Sequence, residues 1–462
     1  MGGCRSLLFI PTSLVVLVSL VVFCNVSSTS RLLIHLHNSQ LHQEPPVAAS
    51  ARRLPFKRVI QISLPKSTSN NLSVQASQRS PLRNGSEGFQ VAFQQEAQPN
   101  SSIEIAGSDD SQIKIIRDNG VFHDEVMFME NYKEMSRSMK IYVYPHSRHD
   151  PFADVLLPCS YEPGGNYASE SYFKKALMKS HFITKDPSEA DFFFLPFSIA
   201  SMRNDKRIGV GGIPDFVKDY VYNISQAYPY WNRSGGADHF YVACHSIGKI
   251  AMDKASHVKD NAIQVVCTSN YFVSGYVAHK DVALPQIWPR HGDPPQVDPS
   301  IRDRLAFFAG VINNPARQQL VKEWQKDGDI LAHNGRLKTP YATELLRSKF
   351  CLHVKGFEVN TARVGDALYH GCVPVILADY YDLPFSDILN WKSFSVVVAT
   401  MDIPSLKIIL QEISHDEYLR LQGNVLKARR HFLWHTSPIE FDAFHMVMYE
   451  LWLRRGYTRT YS

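Results

Sequence analysis

Three familiar catalytic signatures are missing from this 462-residue chain. It holds no Gly-x-Ser-x-Gly, no His-Glu-x-x-His and no phosphate-binding P-loop, so serine hydrolase, zincin and kinase-like readings lose their usual support. No Cys-x-x-Cys occurs, which removes the zinc-ribbon and thiol-redox readings. Net charge is only +5 and no block of Lys or Arg stands out, so no nucleic-acid partner is expected. Charge is absent altogether from Ser6 to Ser30. Sustained hydrophobic periodicity is absent from residue 31 to about residue 115.

The first of those gaps in charge is informative. Residues 7–26 are apolar and number about 20, enough to cross a bilayer as one helix. They are read as a transmembrane signal-anchor behind a cytosolic tail, residues 1–6. A cleaved signal peptide is the alternative, although the apolar run is long for one and no A-x-A-like site follows. Met1-Gly2-Gly3-Cys4 also fits a myristoylation pattern. Residues 27–115, rich in Ser, Gln, Asn and Pro, cannot bury enough apolar surface to fold and are expected to form a disordered luminal stem. Asn-x-Ser sequons stand at Asn71, Asn84, Asn100, Asn223 and Asn232, with a sixth at Asn25 against the membrane edge. Three of them cluster in the stem, as a luminal segment would have it. Beyond the tail and span five cysteines remain, so at most two disulfides form among them and one thiol is left over.

What is present is a chain able to bury large cores: 44% of its residues are hydrophobic and 11% aromatic. Strand-like runs are expected at 140–144, 191–195, 239–243, 263–267 and 281–284. A second series falls at 304–309, 329–331, 350–354, 373–377 and 394–398. Helical patterns lie between them, including 169–180, 315–326, 343–348 and 363–370. This alternation predicts parallel sheets with helices on both faces. Two series predict two Rossmann-like, doubly wound α/β domains, residues 116–290 and 291–435, joined at the Pro-rich stretch Trp288-Pro289-Arg290-His291-Gly292-Asp293-Pro294-Pro295. A last helical segment, 436–462, is expected to pack back on the first domain. The active site should lie in the cleft at the carboxyl ends of the strands.

Residues 350–377 are the most informative stretch. They read as strand, loop, helix, strand, with Gly356 punctuating the loop, Thr361 as helix cap and Gly371 as helix stop. A loop facing a helix start suits an anion. Arg363 adds a planar cation matched to phosphate, and Asp366 follows on the same helix face. An arginine for phosphate and a carboxylate for ribose would make a nucleotide grip; the plain alternative is a core βαβ unit with an ordinary salt bridge.

The motifs Phe350-Cys351-Leu352, Gly356-Phe357-Glu358-Val359, Thr361-Ala362-Arg363, Asp366-Ala367-Leu368 and Gly371-Cys372-Val373-Pro374-Val375 resemble the exostosin-like glycosyltransferases, particularly their plant cell-wall branch, glycosyltransferase family 47. The likeness extends to Lys140-Ile141-Tyr142-Val143-Tyr144-Pro145, to Asp186-Pro187-Ser188-Glu189-Ala190-Asp191 and to Ala237-Asp238-His239-Phe240, and covers roughly residues 125–450. Asp366 stands where the family pattern has Glu, and Cys244-His245-Ser246 where relatives often carry His-Asp. The resemblance implies the GT-B architecture, two facing Rossmann-like domains, the second binding a nucleotide-sugar and the first shaping the acceptor site. It implies a type II Golgi membrane protein with a luminal catalytic domain. Its donor would be a nucleotide-sugar, in the UDP series. Its acceptor would be a polysaccharide or glycan of the plant cell wall. Transfer would be inverting, without a cofactor or metal, and other Golgi glycosyltransferases are potential oligomer partners.

Transfer from a nucleoside diphosphate needs positive charge at the leaving group, an oriented donor and a base for the acceptor hydroxyl. Arg363 is the first choice for the diphosphate, with Lys355, Gly310 and Arg317 nearby; a solvated helix charge is the plain reading of Arg317. Glu358 and Asp366 are candidates for ribose or donor-sugar hydroxyls. Asp238, His239, His245 and Glu170 are the candidate bases, against plain readings as turn residue or satisfied core histidine. Asp327-Gly328-Asp329 has a metal-binding D-x-D form but is most simply a turn. A catalytically silent scaffold subunit of a Golgi transferase complex is the competing function, and a glycoside hydrolase the third.

Overall fold

The computed structural model describes residues 120–272 and 275–458, which fall in one compact unit. The expected tail, membrane span and stem, and the sequons at Asn71, Asn84 and Asn100, lie outside the described residues. Among those residues no helix is long and apolar enough to cross a membrane.

Two sheets form, and every pairing in both is parallel. The first comprises β1 (Ile141–Val143), β2 (Ile183–Thr184), β3 (Phe192–Phe194), β4 (His239–Ala243), β5 (Ile263–Val266) and β6 (Val282–Ala283), in the order β2-β1-β3-β4-β5-β6. The second comprises β7 (Arg304–Gly310), β8 (Ile330–Asn334), β9 (Ser348–Val354), β10 (Val373–Leu377) and β11 (Val396–Val397), in the order β11-β10-β9-β7-β8.

The sequence dictates this layering through continuous apolar strands. Parallel sheets are covered on both faces, so their strands carry no polar alternation. All three residues of β3 are buried phenylalanines, and they alternate. Phe192 and Phe194 enter one core, Phe193 the other. The core behind Phe193 is completed by helix α3 (Gly209–Ala227) through Phe216, Val217 and Tyr220. Pro374 lies inside β10, where a missing N–H would cost a ladder bond. Its neighbour β11 pairs only with Val375 and Ile376, so the gap falls beyond that ladder.

Four further helices frame the cleft and its support: α1 (Glu125–Ser138), α2 (Ala168–Leu177), α4 (Pro315–Trp324) and α5 (Arg363–Tyr369). Then α6 (His415–Ala428) covers the second sheet, and α7 (Ala443–Thr458) returns to the first. Phe444 of α7 packs on Phe173, with ring centroids 5.5 Å apart, and Tyr449 on Phe128 at 4.9 Å. Arg454 donates to the carbonyls of Asp281 and Ala278 beside β6, and pairs with Asp387 of the second domain at 3.3 Å.

Each sheet carries one disulfide between neighbouring strands. Cys244–Cys267 ties the carboxyl ends of β4 and β5, and Cys351–Cys372 ties β9 to the start of β10. Among the described residues Cys159 is the free thiol.

Candidate functional site

The carboxyl ends of the two sheets open on a shared cleft of about 520 Å³. Tyr167, Cys244 and Ser246 line it from the first domain, Gln286, Trp288 and Arg290 from the connecting segment, and residues from Asn313 to Asp366 from the second.

Arg363 and Arg317 dominate the second wall. The Arg363 guanidinium lies 5.2 Å over the Phe308 ring, and Nη2 donates to the Ala309 carbonyl at 2.9 Å. Its Nε is buried without a partner. Arg317 reaches the same ring from α4. Arg317 is buried and hydrogen-bonds only neutral acceptors: the Val354 and Val311 carbonyls and Asn313 Oδ1. Burial, reinforced by the charge of Arg363, brings its pKa down to about 10. Neither arginine forms an ion pair among the described residues. Two glycines make the arrangement possible: a Cβ at Gly310 would collide with Arg363 Nη2, and one at Gly356 would sit 2.7 Å from Arg317 Nη2.

A fully buried histidine fixes the loop that carries Gly356. His353 Nε2 donates to the Val359 carbonyl at 2.9 Å, and Nδ1 meets Thr361 Oγ1 at 3.0 Å. Burial, then the Arg363 charge, lowers its pKa to about 3, so the ring is neutral. Thr361 is not the helix cap that its sequence position predicts. Ala362 takes the N-cap position, and Thr361 Oγ1 accepts from the Arg363 N–H from one residue further back. At seven residues α5 is too short to bring much dipole, so the positive charge here belongs to side chains.

The other expected donor-side residues divide. Glu358, like Gly356, lines the cleft. Asp366 lines it too, but its carboxylate is taken: Arg290 donates to Oδ1 from Nε at 2.9 Å and Nη2 at 2.6 Å. Burial raises its pKa against the pull of Arg290. Lys355 is turned away, 3.7 Å from Asp379, and is not part of the lining.

Of the four candidate bases, three are built into the first domain. Glu170 is buried and accepts from Ser198 Oγ, the Ala200 N–H and the Cys244 N–H, so it ties α2 to the ends of β3 and β4. Asp238 accepts from Arg233, Ser234 and His239. His239 is wholly buried, and its Nε2 meets the Tyr144 hydroxyl at 2.7 Å. It opens β4, at the amino end of the strand, whereas the cleft lies at the carboxyl end. His245 stands between the lining residues Cys244 and Ser246, its ring 4.2 Å from that of Tyr167. The Ile247 N–H donates to its Nδ1, so the neutral ring carries its proton on Nε2 and presents a donor.

Both Asp327 and Asp329 bind Lys407 at 2.8 Å, and Asp327 Oδ1 accepts from the N–H groups of Asp329 and Ile330. That is a capped turn closed by a lysine. Among the described residues no group of three or more His, Cys, Asp or Glu is placed to hold a metal ion. Asn232 is exposed and Asn223 half-buried, both on the first domain.

Sequence reasoning passed over Trp288, Arg290 and Tyr341, which line the cleft. A lone arginine in a Pro-rich connector was the available signal for Arg290, since it has no other local role.

Comparison with known proteins gives the family. The exostosin GT47 domain matches residues 135–413. A probable glycosyltransferase of Arabidopsis thaliana is 36% identical over 416 residues, covering 87% of this chain and 79% of its own length. Two further Arabidopsis relatives are each 28% identical: a probable glucuronoxylan glucuronosyltransferase, with 70% of this chain and 75% of its own covered, and a probable β-1,4-xylosyltransferase, with 61% and 74%. The protein is a glycosyltransferase. It belongs to the exostosin GT47 family.

Proposed function

We propose that the protein transfers a sugar from a nucleotide-sugar, of the UDP series, to a growing cell-wall polysaccharide, with inversion at the anomeric carbon. The observation that carries this reading is the pair Arg317 and Arg363: two guanidiniums on one aromatic ring, at a cleft, hydrogen-bonded to neutral acceptors. Like charges held close together destabilise a protein, and a bound anion relieves that repulsion. A diphosphate is such an anion. In the transfer the bond from C1 to the phosphate oxygen breaks and the electron pair leaves on the diphosphate, while the acceptor oxygen bonds C1 and gives up its proton. Fixed cations beside the departing oxygens stabilise the charge that develops there. Names built on xylose and glucuronic acid among the relatives favour a pentose or uronic acid as the donor sugar. The apolar run at residues 7–26 and the sequons favour a Golgi membrane anchor with the catalytic part in the lumen. GT-B is the architecture that suits two parallel sheets facing one cleft.

The test is the melting temperature of the purified protein against UDP, GDP and their sugars, with and without EDTA, in wild type and Arg363→Ala. UDP-series protection that survives EDTA and vanishes in Arg363→Ala is expected. Turnover in that variant should drop by about 10²–10³-fold, the usual cost of one transition-state donor. Absence of protection by any nucleotide would move the reading to a silent scaffold.

A further inference from the structure

Beyond the partition made by Trp288 and Arg290 lies a second cavity of about 410 Å³, within the roughly 300–1,000 Å³ range of small-molecule sites. The two residues line both spaces. Helix α5 is shared as well: Arg363 and Asp366 face the first cavity, Gly365 and Tyr369 the second. A Cβ at Gly365 would approach Ile287 Cγ2 to 3.1 Å, so this glycine lets the connecting segment lie close over the helix.

The chemistry of the second cavity differs from that of the first. Its only cation from that shared wall, Arg290, is already bound to Asp366. Its walls are aromatic: Tyr172 and Trp434 stack with centroids 6.4 Å apart, and Trp288 and Tyr369 add further faces. Between the rings stand hydrogen-bonding groups with capacity left over. Glu162 accepts from the Tyr172 hydroxyl through Oε1, leaving Oε2. His435 meets Asp442 through Nδ1, leaving Nε2. Flat apolar faces beside hydrogen-bonding edges, without net positive charge, match the C–H faces and hydroxyl edges of sugar rings and not a phosphate.

We propose that this second cavity is a binding subsite for the acceptor glycan, holding sugar residues of that chain behind the one that reacts. The proposal rests on the donor reading above, since the reacting end must lie beside the arginines. The chain passes the Trp288–Arg290 partition, with its neutral sugars on the aromatic side and the donor diphosphate on the arginine side. A nucleobase is the other flat group that could occupy such a space.

The test uses full-length protein in detergent and calorimetric titration with UDP and with a panel of plant cell-wall oligosaccharides, each as dimer and hexamer. Ser437→Trp fills the cavity from an exposed rim position, and Glu162→Gln alters one exposed edge. In wild type one member of the panel should bind about tenfold more tightly as hexamer than as dimer, about 1.4 kcal/mol. Ser437→Trp should erase that advantage and Glu162→Gln reduce it, both with UDP affinity unchanged. Absence of length dependence across the panel, or its survival in Ser437→Trp, would overturn the subsite. A loss of UDP affinity in Ser437→Trp would overturn it in favour of a nucleobase. Failure of wild type to bind UDP would refute the donor reading by itself, while length dependence would still decide the subsite.

Discussion

Two clusters of ionisable residues, one in each domain, are treated in opposite ways. In the first, Asp238 is answered by Arg233, Ser234 and His239, and Glu170 by a hydroxyl and two backbone N–H groups. In the second, Arg317 and Arg363 sit together with only neutral acceptors. The same residue types that suggest chemistry in a sequence therefore do different work. A closed network holds a fold together. A charge left open at a cleft stores binding energy for something that is not protein.

Breaking the closed network should give the largest effect. Asp238→Ala removes the acceptor shared by Arg233, Ser234 and His239 and leaves the buried His239 Nδ1 unanswered, at a cost of about 3–5 kcal/mol in denaturant unfolding for the lost hydrogen bonds together. The folded fraction should bind UDP as wild type does; a parallel loss of affinity would erase the distinction between the two clusters. By contrast, Arg363→Ala in the absence of nucleotide should leave stability within about 1 kcal/mol, because the hydrogen bond it loses is offset by relief of repulsion from Arg317.

Next in size is the second sheet's disulfide. Cys351 and Cys372 are 21 residues apart, and replacing both with alanine should cost about 3 kcal/mol by restoring freedom to the unfolded chain. Because Arg317 is held by the Val354 carbonyl at the end of the same strand, nucleotide affinity should weaken along with stability. A loss of stability alone would show that the arginines are positioned independently of the strand.

The smallest effect per group is expected from pH. Burial lowers the pKa of His353 to about 3 and of His431 to about 4. Both lie below the ordinary 6.5, so the unfolded chain takes up protons first. The stability these rings contribute is whole above pH 6.5 and is lost as pH falls toward those values. Between pH 6.5 and 5.5 the loss should be about 1 kcal/mol per ring, read as a falling denaturation midpoint. His431→Asn should flatten part of that slope without touching nucleotide binding, whereas changes at His353 should disturb the arginine loop.

Much of the fold was legible because buried parallel strands are apolar runs. The expected limits of β4 and β10 coincide with the observed ones. β2 went unseen because its two residues run straight into Lys185-Asp186, whereas the equally short β6 and β11 lie within longer apolar runs. Helix α3 was hidden by composition, with three glycines near its start and Pro214 inside, although its buried face, Ile213, Val217, Tyr220 and Ile224, keeps helical spacing. At the site, Arg363 was legible because loop, helix and strand follow one another in sequence. Arg290 was not, since its partner Asp366 is 76 positions away. Asp238 and His239 invited a catalytic reading by type, yet their place at the start of a strand already put them at the far edge of the sheet from the cleft.

The return of α7 to the first sheet has a consequence for biosynthesis. Phe444, Val447 and Leu451 belong to the core that also contains Ile141, Phe192 and Phe240. While the ribosome is still translating, the amino-terminal domain therefore waits with an apolar face uncovered, and it closes only when the last helix has emerged. A nonsense codon just before Ala443 would not trim a tail. It would strip the lid from the half of the protein that was made first, and hand that half to chaperones and proteolysis.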